Sequence, residues 1–149
     1  SFFFCAMPIN IDTKEEAFEA PKTEKVHISS AYFESLFERA YREHPLSIDT
    51  MNKVKEMDDY LIKNFRISFG NRIARQMQEY VPAFVACGGA ELTAVDYMIA
   101  NKILRKLEQL NLSYIRDEID GLISFLDKTF GKDTMVECKS YLKRLKKMA

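Results

Sequence analysis

Apolar side chains recur every three or four residues along most of this chain. Side chains at that spacing lie on one face of an α-helix, so the recurrence predicts amphipathic helices. Six such segments follow one another, at residues 29–44, 47–64, 70–86, 91–110, 115–130 and 135–147. The fourth segment is apolar on more than one side, which is typical of a central helix. The predicted fold class is therefore all-α, a bundle of about six helices with short connections.

Residues that begin or end helices lie within and between these segments. Pro82 falls inside the third segment and predicts a kink or a new turn, because proline lacks the N–H of the helical hydrogen bond. Residues 87–89 follow that segment and offer a glycine for a left-handed helix end. Asp133 or Thr134 precedes the sixth segment, where a short polar side chain can cap the free N–H groups of the helix.

Residues 1–28 are the least regular part of the sequence. Residues 2–4 and 25–28 could each form a short strand, the second because polar and apolar residues alternate there. The chain therefore divides into an irregular segment at 1–28, with room for a strand remnant, and a helical bundle at 29–149. Ser1 stands where an initiator Met would be, before an apolar stretch with no basic start, so we expect a fragment rather than a secreted protein.

The charge of the chain is balanced, with 22 Lys and Arg residues against 22 Asp and Glu residues. A dedicated nucleic-acid binder usually carries a basic excess, so this balance counts against that class. Three widely spaced cysteines without a Cys-x-x-Cys pair, and two histidines outside metal-binding spacings, predict neither disulfides nor a metal site. This cysteine usage fits a reducing cytoplasm, and no apolar run is long enough to span a membrane.

Familiar catalytic motifs are absent from the sequence. It lacks the glycine-rich phosphate loop, the nucleophile elbow, the zinc-binding HExxH motif and the dinucleotide-binding glycine motif. Asp58 is adjacent to Asp59, and Asp117 to Glu118, but neighbouring positions on a helix point about 100° apart and do not face one site. We therefore predict no catalytic residue and no metal ligand, so the chain alone is not an enzyme.

One cluster of residues, at 69–75, places arginine at the start of a predicted helix. Arg72 lies in the first turn, where the helix dipole is positive and a cation is unfavourable unless an anion is bound nearby. A guanidinium in that place could hold a phosphate through paired hydrogen bonds. The alternative is that Arg72 is a solvated surface residue, and that Arg75 pairs with Glu79 four residues on.

A second cluster, at residues 96–107, lies on the predicted central helix. Its apolar residues are flanked by four charged side chains, Asp96, Lys102, Arg105 and Lys106. The segment is either a core helix with a charged rim or a face that binds a partner or another subunit.

At these two clusters the chain resembles the C-terminal helical lid region of McrB-type AAA+ ATPases, the motor subunits of modification-dependent restriction systems. That family has a segment of the type F-G-x-R-[IV], followed by a helix of the type D-x-x-[IL]-x-x-K-[IV]-L-[PR]-[KR]-[LI]. Residues 69–73 and 96–107 match these patterns in order and spacing, with Arg105 where proline is common. The resemblance covers roughly residues 45–112, and the Walker motifs and catalytic carboxylates of the family are absent here.

The resemblance implies that the chain is the lid of an AAA+ nucleoside triphosphatase and does not hydrolyse nucleotide alone. Arg72 would be the sensor-type arginine that contacts the nucleotide phosphates, with Arg75 as the alternative one turn on. Residues 1–28 would be the tail of a truncated nucleotide-binding core of the same polypeptide. The intact parent would bind ATP or GTP with Mg, form a ring of identical subunits, and act on DNA with a nuclease subunit.

Two other functions fit the residues without the resemblance. A stand-alone helical protein-interaction module would bind a partner through an apolar groove and would expose a large apolar patch. A helical DNA-binding protein would carry a basic face and bind with a steep salt dependence. The basic tail at residues 139–147 could form such a face, although cations also suit the C-terminal end of a helix.

Overall fold

The computed structural model describes residues 26–148, apart from the side chains of residues 112–114. Within that range the chain folds into α-helices and one 3₁₀ helix, and no strand is present. The elements are α1 (Ser30–Glu43), α2 (Ile48–Phe65), α3 (Gly70–Ala86), α4 (Glu91–Lys102), the 3₁₀ helix (Leu104–Gln109), α5 (Leu112–Phe130) and α6 (Val136–Met148). The predicted all-α fold with six α-helices is therefore confirmed.

Helix α4 lies at the centre of the bundle. It packs against α3, α6 and the 3₁₀ helix, and Val95, Met98 and Ile99 along it are completely buried. Burying one such side chain stabilises the fold by about 1.5–3 kcal/mol, before the entropy of ordering the chain is counted. The prediction that the fourth segment forms the central helix is confirmed.

The fourth segment does not continue as one α-helix to residue 110, so that predicted boundary is wrong. α4 ends at Lys102 and the chain tightens into the 3₁₀ helix after Ile103. A 3₁₀ helix has three residues per turn, so Leu104 and Leu107 lie on the same side of it. Both side chains are completely buried. The tighter turn therefore keeps the apolar face on the core.

Two predictions about helix ends concern α3. The helix runs through Pro82 and ends at Ala86, the predicted last residue. Beyond Ala86, Gly88 has a φ of 90°, and the Gly89 N–H donates to the Phe84 carbonyl oxygen at 3.1 Å. A left-handed glycine with this bond is a common helix end, so the predicted glycine stop is confirmed.

The N-terminal segment is described only from Val26 onward. Residues 26–28, the described part of the predicted strand at 25–28, are exposed and have no regular structure. A strand needs a neighbour to pair with its backbone, and none lies beside this one in the described range. Residues 2–4 lie outside the described residues, as does the rest of the segment up to residue 25. None of the described helices is both long and apolar enough to cross a membrane.

Candidate functional site

The turn that leads into α3 is fixed by the residues on either side of Arg72. Phe69 and Ile73 are both 5% exposed and pack into the core. Gly70 has a φ of 71°, a left-handed conformation that glycine adopts without steric cost. The Phe69 N–H donates to the Asp58 carboxylate at 2.7 Å. Phe69, Gly70 and Ile73 of the first motif therefore each have a structural reason for their identity.

Arg72 has no comparable structural explanation. It is exposed in the first turn of α3, which carries no acidic residue. Within the described part of the chain its guanidinium forms neither an ion pair nor a hydrogen bond. A cation at the positive end of a helix is slightly unfavourable. Among the described residues, therefore, nothing pairs with this surface charge.

Arg75, the other predicted nucleotide-binding residue, has a partner on its own helix. Its Nε lies 3.3 Å from the Glu79 carboxylate, and the two side chains are 82% and 63% exposed. An exposed pair of this kind contributes about 0.3–0.5 kcal/mol. The pairing is the one that the sequence offered as the alternative to phosphate contact. Of the two arginines, Arg72 has no counter-charge among the residues that the structure describes.

The two sequence clusters meet in space. The Lys106 ammonium, in the second cluster, donates to the Ser68 carbonyl oxygen at 2.8 Å. Ser68 immediately precedes the first cluster in the turn between α2 and α3. The turn that leads into α3 and Arg72 is therefore held from two sides, by Asp58 and by Lys106.

Asp96, the first residue of the second cluster, is a buried helix cap. It is only 4% exposed, and its carboxylate accepts the N–H groups of Glu137 and Cys138, both at 2.8 Å. These N–H groups belong to the first turn of α6, where the positive helix end favours a carboxylate. Asp96 is therefore neither a charged rim residue nor part of a partner-binding face.

This arrangement corrects the predicted cap of the sixth helix. The side chain of Thr134 donates to the Gly131 carbonyl oxygen at 2.8 Å, and Asp133 is exposed. The cap comes instead from a residue more than thirty positions earlier in the sequence. Local sequence patterns detect caps within a few residues, so this contact left no local signal.

Cys138 depends on the same carboxylate. Its thiol donates to the Asp96 backbone carbonyl oxygen at 3.4 Å and is completely buried. Burial, followed by the charge of Asp96, raises the pKa of Cys138 well above its ordinary value. A buried thiol held in its neutral form is a poor nucleophile and a poor metal ligand. Among the residues from 26 to 148, no cluster of His, Cys, Asp or Glu is arranged to hold a metal ion.

Helix α2 is capped in a similar way from α4. The Glu91 carboxylate accepts the backbone N–H of Ser47 at 2.9 Å and its hydroxyl at 2.7 Å. It also accepts the hydroxyl of Thr50. Partial burial alone would raise the pKa of Glu91, but these hydrogen bonds outweigh it and lower the pKa. Sequence reasoning missed Glu91, because nothing local connects it with a helix that begins more than forty residues earlier.

The chain was compared with known families, curated proteins and solved structures. A family model described as Domain of unknown function (DUF8727) matches residues 19–149. No curated protein and no solved structure matches the chain. The matching description names no activity.

Proposed function

We propose that this chain, which belongs to the DUF8727 family, is the C-terminal helical lid of an AAA+ nucleoside triphosphatase, with Arg72 as its nucleotide-sensing arginine. The observation that carries the proposal is the guanidinium of Arg72 in the first turn of α3, which has no partner among residues 26–148. The resemblance of the two clusters to the McrB-type lid gives that guanidinium its partner, a nucleotide phosphate.

The surroundings of Arg72 suit a residue that reports on a phosphate. Asp58 and Lys106 hold the preceding turn through hydrogen bonds of 2.7 and 2.8 Å. A guanidinium on a fixed turn would transmit the loss of a phosphate charge to the whole bundle rather than to one loop. Paired hydrogen bonds from arginine to phosphate are also short and strong.

The proposal extends to the parent protein. A nucleotide-binding core of the same polypeptide would supply ATP or GTP with Mg, and the chain described here would supply only the arginine. The parent would form a ring of identical subunits in the cytoplasm. It would act on DNA together with a nuclease subunit, as part of a restriction system. These parts come from the resemblance.

The decisive experiment compares two properties of Arg72→Ala. In the full-length protein, we expect nucleotide turnover to fall by about 10- to 100-fold, because a hydrogen bond to a charged group contributes about 1.5–3 kcal/mol. In the 149-residue chain, urea unfolding should show a change below about 0.5 kcal/mol, as for an ordinary surface substitution. Arg116→Ala, which removes an exposed arginine on α5, is the matched control and should alter neither property.

Two outcomes would contradict the assignment. If Arg72→Ala unfolds the chain more easily and leaves turnover intact, Arg72 is a structural residue. If Arg75→Ala lowers turnover and Arg72→Ala does not, the sensor is one turn further along α3. A full-length sequence without a phosphate loop ahead of this chain would reject the lid function itself.

One observation favours a second candidate, a helical protein-interaction module. Helix α1 packs against α3, yet Tyr32, Phe33, Phe37 and Tyr41 remain 45–57% exposed along it. Aromatic side chains are enriched in protein interfaces. In this case, partner binding would survive Arg72→Ala and would be lost in the double variant Phe33→Ser and Phe37→Ser.

A further inference from the structure

A cavity of about 340 Å³ opens between the 3₁₀ helix and the C-terminal half of α6. Its walls are formed by Arg105, Glu108, Tyr141, Arg144, Leu145 and Met148. The volume falls within the range of about 300–1,000 Å³ that is usual for small-molecule sites. The sequence had drawn attention to Arg105 as a charged margin of the second cluster and to Arg144 as part of the basic tail, without connecting the two.

Two arginines, Arg105 and Arg144, line the cavity, and within residues 26–148 neither is paired with a carboxylate. The carboxylate in the cavity, Glu108, accepts the hydroxyl of Tyr141 at 2.5 Å. The guanidinium of Arg144 lies 5.5 Å from the centre of the Tyr141 ring, a distance at which a cation is attracted to an aromatic face.

The tyrosine hydroxyl helps to fix this arrangement. Burial, followed by the hydrogen bond and charge of Glu108, raises the pKa of Tyr141 above its ordinary range. The hydroxyl therefore remains protonated and continues to donate to Glu108 at physiological pH. Arg144 is thus held beside a ring that is itself anchored to the 3₁₀ helix.

The remaining wall is apolar. Leu145 is 1% exposed and belongs to the core, whereas Met148 is 70% exposed at the rim. A methionine side chain is flexible and adapts to flat or irregular apolar surfaces. The cavity therefore combines two cations suited to paired hydrogen bonds with a phosphate and an apolar surface beside them. Inorganic phosphate would use only the first of these features.

We propose that this cavity binds a nucleotide unit, with its phosphate between Arg105 and Arg144 and its base against the exposed side chain of Met148. The nucleotide could be free or part of a nucleic-acid strand, since both present the same phosphate and base. The proposal does not depend on the lid function, because it uses neither Arg72 nor helix α3.

The test is a titration of the ¹⁵N-labelled 149-residue chain, followed by NMR. The probes are AMP, a short oligothymidylate and inorganic phosphate. We expect AMP or the oligonucleotide to bind at least about tenfold more tightly than inorganic phosphate, with shifts in the 3₁₀ helix and α6. Arg105→Ala and Arg144→Ala should each weaken binding by about tenfold, as expected for the loss of a charged hydrogen bond. Arg116→Ala is the matched control and should leave binding unchanged.

Glu108→Gln tests the sign of the charge that the cavity prefers. The amide oxygen can still accept the Tyr141 hydroxyl, but the negative charge beside the phosphate is lost. Phosphate-bearing ligands should therefore bind severalfold more tightly to this variant. Unchanged or weaker binding of these ligands would mean that no phosphate lies beside Glu108 and would overturn the proposal.

The probes and variants also separate the proposal from diffuse attraction by the basic helix. If only the oligonucleotide binds, and Lys143→Ala and Lys147→Ala weaken it as much as Arg144→Ala does, the proposal is overturned. The same conclusion follows if no probe binds, or if inorganic phosphate binds as tightly as AMP.

Should Arg144→Ala fail to fold, Arg144→Lys keeps the charge but loses the paired geometry, and should bind more weakly than the unmodified chain.

Discussion

Two polar side chains, Asp96 and Thr50, are buried in the described part of the chain, and both act at helix starts. Asp96 accepts hydrogen bonds from the first turn of α6, whereas Thr50 donates from the first turn of α2 to Glu91. A buried polar group without a partner would cost about 1–3 kcal/mol. At each of these positions, the residue type is therefore explained by a hydrogen bond to another helix rather than by the residue's own helix.

We expect Asp96→Ala to destabilise the chain by about 2–4 kcal/mol, because it removes a helix cap and leaves two N–H groups in a poorly hydrated place. Urea unfolding followed by circular dichroism measures the difference. Asp133→Ala, at the cap that the sequence suggested, is the control and should change stability by less than about 0.5 kcal/mol. A large loss in Asp133→Ala together with a loss below about 0.5 kcal/mol in Asp96→Ala would place the cap of α6 at Asp133 instead.

The hydrogen bonds of Glu91 make the free energy of unfolding of the chain depend on pH. Because its pKa is lower in the folded chain than the ordinary value of 4.5, the carboxylate stabilises the fold above that pH. The contribution is lost as the pH falls through the lowered pKa. We therefore expect Glu91→Gln to lose less stability than the unmodified chain between pH 7 and pH 3.5, measured by urea unfolding at both values. Parallel losses in the two proteins would contradict the lowered pKa.

At the scale of the element, most helix starts and stops follow from nearby residues. The side chains of Ser29 and Ser47 accept N–H groups at the beginnings of α1 and α2, and Gly88 ends α3. These signals are local, so the sequence predicted the corresponding boundaries to within a residue or so. The end of α4 and the cap of α6 depend on packing between distant segments, and there the predictions were wrong.

The 3₁₀ helix offers a direct test of the packing that sets its geometry. Leu104 is completely buried, so Leu104→Ala should destabilise the chain by about 2–5 kcal/mol through lost burial and a residual cavity. Thermal and urea unfolding give the value. Gln109→Ala, an exposed position in the same element, serves as the control. A loss below about 1 kcal/mol for Leu104→Ala would mean that the 3₁₀ helix is not held by its apolar side.

At the scale of the whole molecule, three helix starts within residues 26–148 receive a carboxylate from another helix. Glu91 and Asp96 of α4 reach α2 and α6, and Asp58 of α2 reaches the N–H of Phe69 just before α3. Apolar periodicity predicted the fold class and the central position of α4, because it records which faces are buried. It does not record which carboxylate reaches which helix start, so these long-range contacts remained unseen.

For the candidate sites too, the sequence predicted local features and missed contacts between distant segments. Charge at a helix start is a local property, so the sequence alone was enough to predict Arg72 and Arg75 as candidate site residues. The pairing of Arg75 with Glu79 was foreseen as an alternative for the same reason. The cavity near Arg144 joins two elements that are thirty residues apart in sequence, so no pattern along the chain could have indicated it.

The position of Glu91 and Asp96 on one helix fixes more than their identities. Five residues of α-helix turn by about 500°, which leaves the two side chains about 140° apart around the axis and directed toward different neighbours. Inserting a single residue between them would rotate one carboxylate by a further 100° or so, and α2 and α6 could no longer both be reached. The five-residue interval between the two acids therefore constrains the length of α4, and we expect an insertion between them to destabilise the chain.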